Sequence, residues 1–144
     1  MSIQRYVLTV EKKSNFIQNK EKELVQRAKF FAKILWHRNF NLPIKINKRF
    51  RVTLGLYYYG HSIELSHELL EDEYLLNDTL LHELCHWYCD TSFKESKDGS
   101  DDFERELRRI GATSTRTTDM NSKMVYDLNV LNLNKLYKKS LTTY

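Results

Sequence analysis

One short stretch of the chain reads His82-Glu83-Leu84-Cys85-His86. Two imidazoles and a carboxylate at this spacing suit metal-assisted hydrolysis. Four residues of α-helix amount to about 400° of rotation, so His82 and His86 would project from nearly the same face, one turn apart. Imidazoles stacked in this way can both bring a nitrogen to about 2.0–2.1 Å from one zinc ion. Glu83, next to the first histidine, is angled beside the ion rather than onto it. There it can hold the attacking water, take its proton and pass that proton to the leaving amine. Zinc makes the water acidic near neutral pH and polarises the substrate carbonyl. The plainer reading is a helix that carries two histidines without a metal.

Such a helix needs an apolar back to hold its ligands still, and Leu80, Leu81, Leu84, Cys85 and Tyr88 supply one. Asn77 or Asp78 is a candidate N-cap, with the helix running to about Tyr88. Upstream, Leu24, Ala28, Phe31 and Leu35 recur at helical spacing within 18–38, while residues 3–10 alternate weakly and fit either state. Pro43 ends that helix, because the residue before a proline is biased away from α geometry. Strands are expected at Ile44–Ile46, Val52–Tyr58 and Ser62–Ser66, the last two joined through Gly60 as a hairpin, and 67–70 as a short connector. A further helix is expected from Asp101, with Glu104 completing a capping box, to just before Gly111. Residues 112–144 carry an apolar patch from Met124 to Leu136 and read as a hairpin or an extension.

The remaining chemistry-bearing residues have structural explanations. His37, His61 and His67 lie outside the motif spacing and read as surface or turn residues. Tyr57, Tyr58 and Tyr59 on a strand would alternate between core and solvent; an exposed one could line a peptide groove or stack on a base. Cys85 reads as an apolar contact, and Cys89, about two turns beyond His82, as packing.

At 144 residues the chain has the size of one domain. Hydrophobic residues at 41% and charged residues at 29% fit a folded, water-soluble protein rather than a disordered one. No apolar run approaches the roughly 20 residues of a membrane helix, and no signal-peptide core stands near the start. Two cysteines four residues apart cannot form a disulfide framework. A cytoplasmic protein with no membrane association is expected. Charge is unevenly spread. Residues 1–60 carry 13 Lys and Arg against 3 Asp and Glu, and residues 61–110 carry 5 against 14. The basic part can meet phosphates, or simply balance the acidic part of the same fold.

The run from Asp78 to Tyr88 resembles the active-site helix of SprT-like metallopeptidases, a family whose members include proteases acting on DNA–protein crosslinks. Leu54-Gly55, Ser62 to Ser66 and Leu69-Leu70 are similar to the strand, hairpin and connector that precede it. Phe103 and the helix to Ile110-Gly111-Ala112 match downstream, so the resemblance covers roughly 24–112. It implies an α+β, zincin-like single domain: a long N-terminal helix, a small sheet, the active-site helix and a C-terminal helix, with 1–112 as the core and 113–144 as an extension. It also implies that a sheet edge takes substrate as an added strand, here around Ile63 to Leu65.

The chain departs from the family pattern twice. Relatives have a third histidine ligand in a His-Gly pair after the motif, but no histidine follows His86, and Asp98-Gly99 stands at the matching place. Two histidines and one carboxylate are an established zinc set, which makes Asp98 the candidate third ligand, with Asp101, Asp102 and Glu95 as rivals. Asp101 and Asp102 are also explained by the charge preference of a helix start. Secondly, Met124-Val125-Tyr126 is similar to the first strand of a terminal zinc ribbon, but no cysteine lies beyond Cys89, so a cysteine-bound structural zinc is not expected. The resulting expectation is one catalytic Zn2+ on His82, His86 and Asp98, Glu83 as base, a protein or peptide substrate, and DNA contact through residues 1–60. The alternatives are a degenerate zincin-fold binding module and a metal-dependent hydrolase of a non-peptide amide.

Overall fold

A computed structural model describes residues 3–112 and 120–142, apart from the side chains of 3–11 and 120–128. The architecture is α+β. Helix α1 (Ile3–Trp36) leads into strands β1 (Ile44–Asn47), β2 (Gly55–Tyr58) and β3 (Ser62–Ser66). A 3-10 turn (His67–Glu71) follows, then α2 (Glu73–Thr91), α3 (Asp101–Ile110) and α4 (Met120–Leu141).

The three strands form one sheet in the order β1-β3-β2, with β3 parallel to β1 and antiparallel to β2. Side chains alternate along a strand, so Ile44, Ile63 and Leu65 share the face turned to the helices and are all buried. Tyr57, paired with Ile63, extends that face. Gly60, at φ 66, makes the β2–β3 turn. The expected substrate edge around Ile63 to Leu65 is corrected here: those residues lie in the central strand, paired on both sides, and the edge next to α2 is β2. The strand expected over Val52–Tyr58 shortens to Gly55–Tyr58.

Helix α2 runs through the middle of the molecule, against α1, β2, α3 and α4. Its own Leu76, Leu80, Leu81, Leu84 and Cys85 project in several directions and are all buried, as expected of a helix buried nearly all round. It starts about one and a half turns before the expected caps. Asp72 is the N-cap, its side chain accepting from Leu75 N–H at 3.0 Å. Asn77 is instead buried, with Oδ1 accepting from Arg27 Nη1 at 2.7 Å. Arg27, itself buried, also binds Glu23 through Nη2 (2.6 Å) and Nε (2.9 Å), and Glu23 accepts from Tyr137 Oη at 2.8 Å. One polar network therefore ties α1, α2 and α4 together. The ambiguous residues 3–10 extend α1, and residues 120–141, where a hairpin was one expectation, form α4. The segment 113–119 lies outside the described residues.

Candidate metal centre

His82 and His86 stand on α2 facing the same point, with ring centroids 5.0 Å apart. Phe103, from the start of α3, lies beneath both. Its ring stacks on His86 at 4.0 Å and 12°, and meets His82 edge-on at 5.0 Å. Phe103 is fully buried, so it acts as a fixed stop against which both imidazoles rest.

The second ring nitrogen of His86 fixes its tautomer. Nδ1 is hydrogen-bonded to the backbone carbonyl of Ser96. A carbonyl can only accept, so Nδ1 carries the hydrogen and the neutral ring presents a bare Nε2. That Nε2 lies 2.9 Å from Asp98 Oδ1, and His82 Nε2 lies 3.0 Å from the same oxygen. A bare imidazole nitrogen and a carboxylate oxygen are both acceptors and repel at such a distance unless a cation joins them. Burial, and after it the neighbouring His82, holds His86 below its ordinary pKa, which favours the neutral ring. The hydrogen bond to His82 keeps the Asp98 carboxyl low against the effect of its partial burial. Two imidazole nitrogens, one with its tautomer set, and one carboxylate oxygen thus make a donor set that fits a zinc-like ion.

Glu83 offers a second carboxylate. Ligand atoms of His82, Glu83 and His86 lie within 4.8 Å of one another, so proximity alone leaves Glu83 and Asp98 competing for the third position. Their surroundings separate them. Asp98 Oδ1 touches both Nε2 atoms, whereas Glu83 is only 5% exposed and backs onto β2. Burial pushes its carboxyl up to about 7, with His82 opposing and Asp98 adding to the rise. A carboxylate close to neutrality is suited to taking and giving a proton.

Glu83 owes its place to Gly55. A Cβ on Gly55 would come within 2.9 Å of Thr79 Cγ2, 3.1 Å of Glu83 Cγ and 3.3 Å of Glu83 Oε1. Only a residue without a side chain lets β2 approach the helix this closely. A glycine within a stretch that reads as a strand, Val52–Tyr58, is the sequence signal for such a close approach.

The rivals of Asp98 do not meet the histidine nitrogens in this way. Asp102 Oδ2 accepts from the backbone N–H of Glu95 at 3.1 Å across the loop, and the Glu95 side chain is exposed. Asp101 is exposed on the first turn of α3. His37, His61 and His67 are exposed and lie outside the grouping. Tyr57 is half-buried with its hydroxyl on Asp90 at 2.6 Å, and Tyr58 and Tyr59 are exposed. Cys85 and Cys89 are buried free thiols hydrogen-bonded to each other, and that bond together with burial raises the Cys85 pKa. Ser96 carries no sequence signal for this contact, because it acts through its carbonyl, which every residue has.

No described helix is long and apolar enough to cross a membrane. No curated protein and no solved structure gives a significant match to the chain. The sequence model of the SprT-like family matches residues 16–124, which takes in the sheet, the histidine pair, Asp98 and Phe103. The chain belongs to the SprT-like family.

Proposed function

We propose that the protein is a zinc-dependent metallopeptidase in which His82, His86 and Asp98 hold the ion and Glu83 is the general base. The observation that carries this reading is the meeting of both histidine Nε2 atoms on one Asp98 oxygen, 2.9 and 3.0 Å away, beside a buried carboxylate. When bound, zinc supplies Lewis acidity to the scissile carbonyl and to the attacking water. Glu83 accepts the water proton on its carboxylate and returns it to the departing amine nitrogen. The Ser96 carbonyl and the Phe103 ring hold His86 in the one tautomer and orientation that keeps Nε2 on the site.

A peptide substrate has a strand to pair with. Leu54 carbonyl accepts from Ser66 N–H at 2.8 Å and Tyr58 carbonyl from His61 N–H at 2.9 Å. By the alternation of an antiparallel ladder, the main-chain groups of Gly55 and Tyr57 are then directed away from β3, to the open edge. That edge lies against Glu83 at Gly55, so an added strand would bring its carbonyl groups to the base.

The test is Glu83→Gln. This variant keeps the three proposed ligands and is expected to retain zinc while hydrolysis falls about 10²–10⁴-fold. Undiminished hydrolysis of any identified substrate would overturn the mechanism.

A further inference from the structure

We propose that Glu104 is a positioning residue for the third ligand: its buried carboxylate on α3 fixes the loop that aims Asp98 at the histidine pair. The inference rests on the assignment of Asp98 to the metal. The Asp98 side chain is 60% exposed, so packing does not hold it in place. The backbone around it is held instead. Gly99 N–H donates to Glu104 Oε1 at 3.1 Å. Gly99 N–H belongs to the same planar peptide unit as the Asp98 carbonyl. Fixing that unit fixes one of the two planes that meet at the Asp98 Cα. Gly99 adopts φ 82, a left-handed conformation that glycine enters at no steric cost.

The rest of the loop is also braced. Ser100 Oγ donates to the Lys97 carbonyl at 2.8 Å, and the Ser96 carbonyl is hydrogen-bonded to His86. Asp102 receives Glu95 N–H at the loop's other end.

Helix formation does not explain Glu104. A helix start favours negative charge at its surface, which accounts for Asp101 and Asp102, but Glu104 is fully buried, as are Phe103 and Leu107 on the same helix. Nor does it close a capping box. The N-cap of α3 is Ser100, which makes no side-chain cap bond, and the carboxylate reaches past it to Gly99. A buried carboxylate costs several kcal/mol before compensation, and an apolar residue of similar volume is commonly neutral or better for stability. The bond to Gly99 N–H gives this buried carboxylate a role in holding the loop.

Glu104→Gln and Glu104→Met separate the two roles, because both fill the volume and only Gln keeps an oxygen acceptor. Zinc affinity is read by competition with a chromophoric chelator, and stability from the melting of the metal-free protein. Glu104→Gln is expected to stay near wild type. Glu104→Met is expected to bind zinc about 10–100-fold more weakly with no loss of metal-free stability. In an Asp98→Ala background, Glu104→Met should cause no further loss, since it acts through Asp98. Wild-type affinity in Glu104→Met, or an equal further loss in that background, overturns the positioning role while leaving the ligand assignment standing. Unchanged affinity in Asp98→Ala alone overturns the ligand assignment itself. If Glu104→Met does not fold, hydrogen exchange at Gly99 N–H in the wild-type protein decides: protection is expected, and exchange at an open-loop rate overturns the proposal.

Discussion

Glu83 sits where it does because a neighbour is missing a side chain. Gly55 brings β2 against the helix, and the contact both dries the carboxylate and fixes its direction. Gly55→Ala puts a methyl group 3.1 Å from Glu83 Cγ, so either the strand or the base must move. The expected result is a fall in kcat of up to about 10²-fold, the scale of a misplacement near 1 Å, with zinc content unchanged because no proposed ligand is touched. Wild-type kcat in Gly55→Ala would show that the contact has slack. The histidine pair was legible in the sequence because i, i+4 spacing on one helix is a purely local property. The bracing of that pair by Ser96 and Phe103 was not legible, since one contact uses a carbonyl and the other depends on how α3 docks.

At the level of elements, the boundaries of α2 show where local rules gave way. Asn77 and Asp78 look like caps, but Arg27 on α1 draws Asn77 into a buried hydrogen bond, and Asp72 takes the capping role about one and a half turns earlier. Strand order was similarly out of reach: Ser62–Ser66 has a sound strand pattern, yet which neighbours it acquires depends on the return of the chain past β1.

The Arg27 network sets an acid limit on stability. Burial acts to raise the Glu23 pKa, but hydrogen bonds from Arg27, Tyr137 and Lys20 outweigh it, so the folded value lies below the ordinary 4.5. Glu73, bonded to Lys138, is also lowered. A depressed folded pKa gives stability that is present in full above the unfolded value and is lost as pH falls through the folded one. Thermal stability should therefore drop below about pH 4.5. Glu23→Gln should cost about 1.5–3 kcal/mol at neutral pH, the worth of hydrogen bonds to a charged group, and should flatten the acid limb. An acid limb as steep in Glu23→Gln as in wild type would contradict this account of the network.

For the molecule as a whole, the charge asymmetry is only partly settled internally. Arg27 and Lys138 reach Glu73 at 3.7 and 2.8 Å, while Lys45, Lys48, Arg49 and Arg51 are exposed around β1. We propose DNA as the partner of this basic region. Binding should weaken steeply with salt, and Lys/Arg→Ala changes within 45–51 should lower the slope of log affinity against log salt by about one per phosphate contact removed. No binding at low salt to single- or double-stranded DNA would leave only intramolecular balance. The proposed metal donors come from both ends of one excursion of the chain: His82 and His86 from α2, and Asp98 from the loop into α3. These three side chains are proposed to hold one zinc ion, and anomalous diffraction at the zinc edge from zinc-loaded crystals is the measurement that checks it. One peak is expected, with the Nε2 atoms of His82 and His86 and a carboxylate oxygen of Asp98 at about 2.0–2.2 Å, and Glu83 outside the coordination shell. A peak coordinated by Glu83, Asp101 or Asp102 in place of Asp98, or no peak between the histidines, would contradict it.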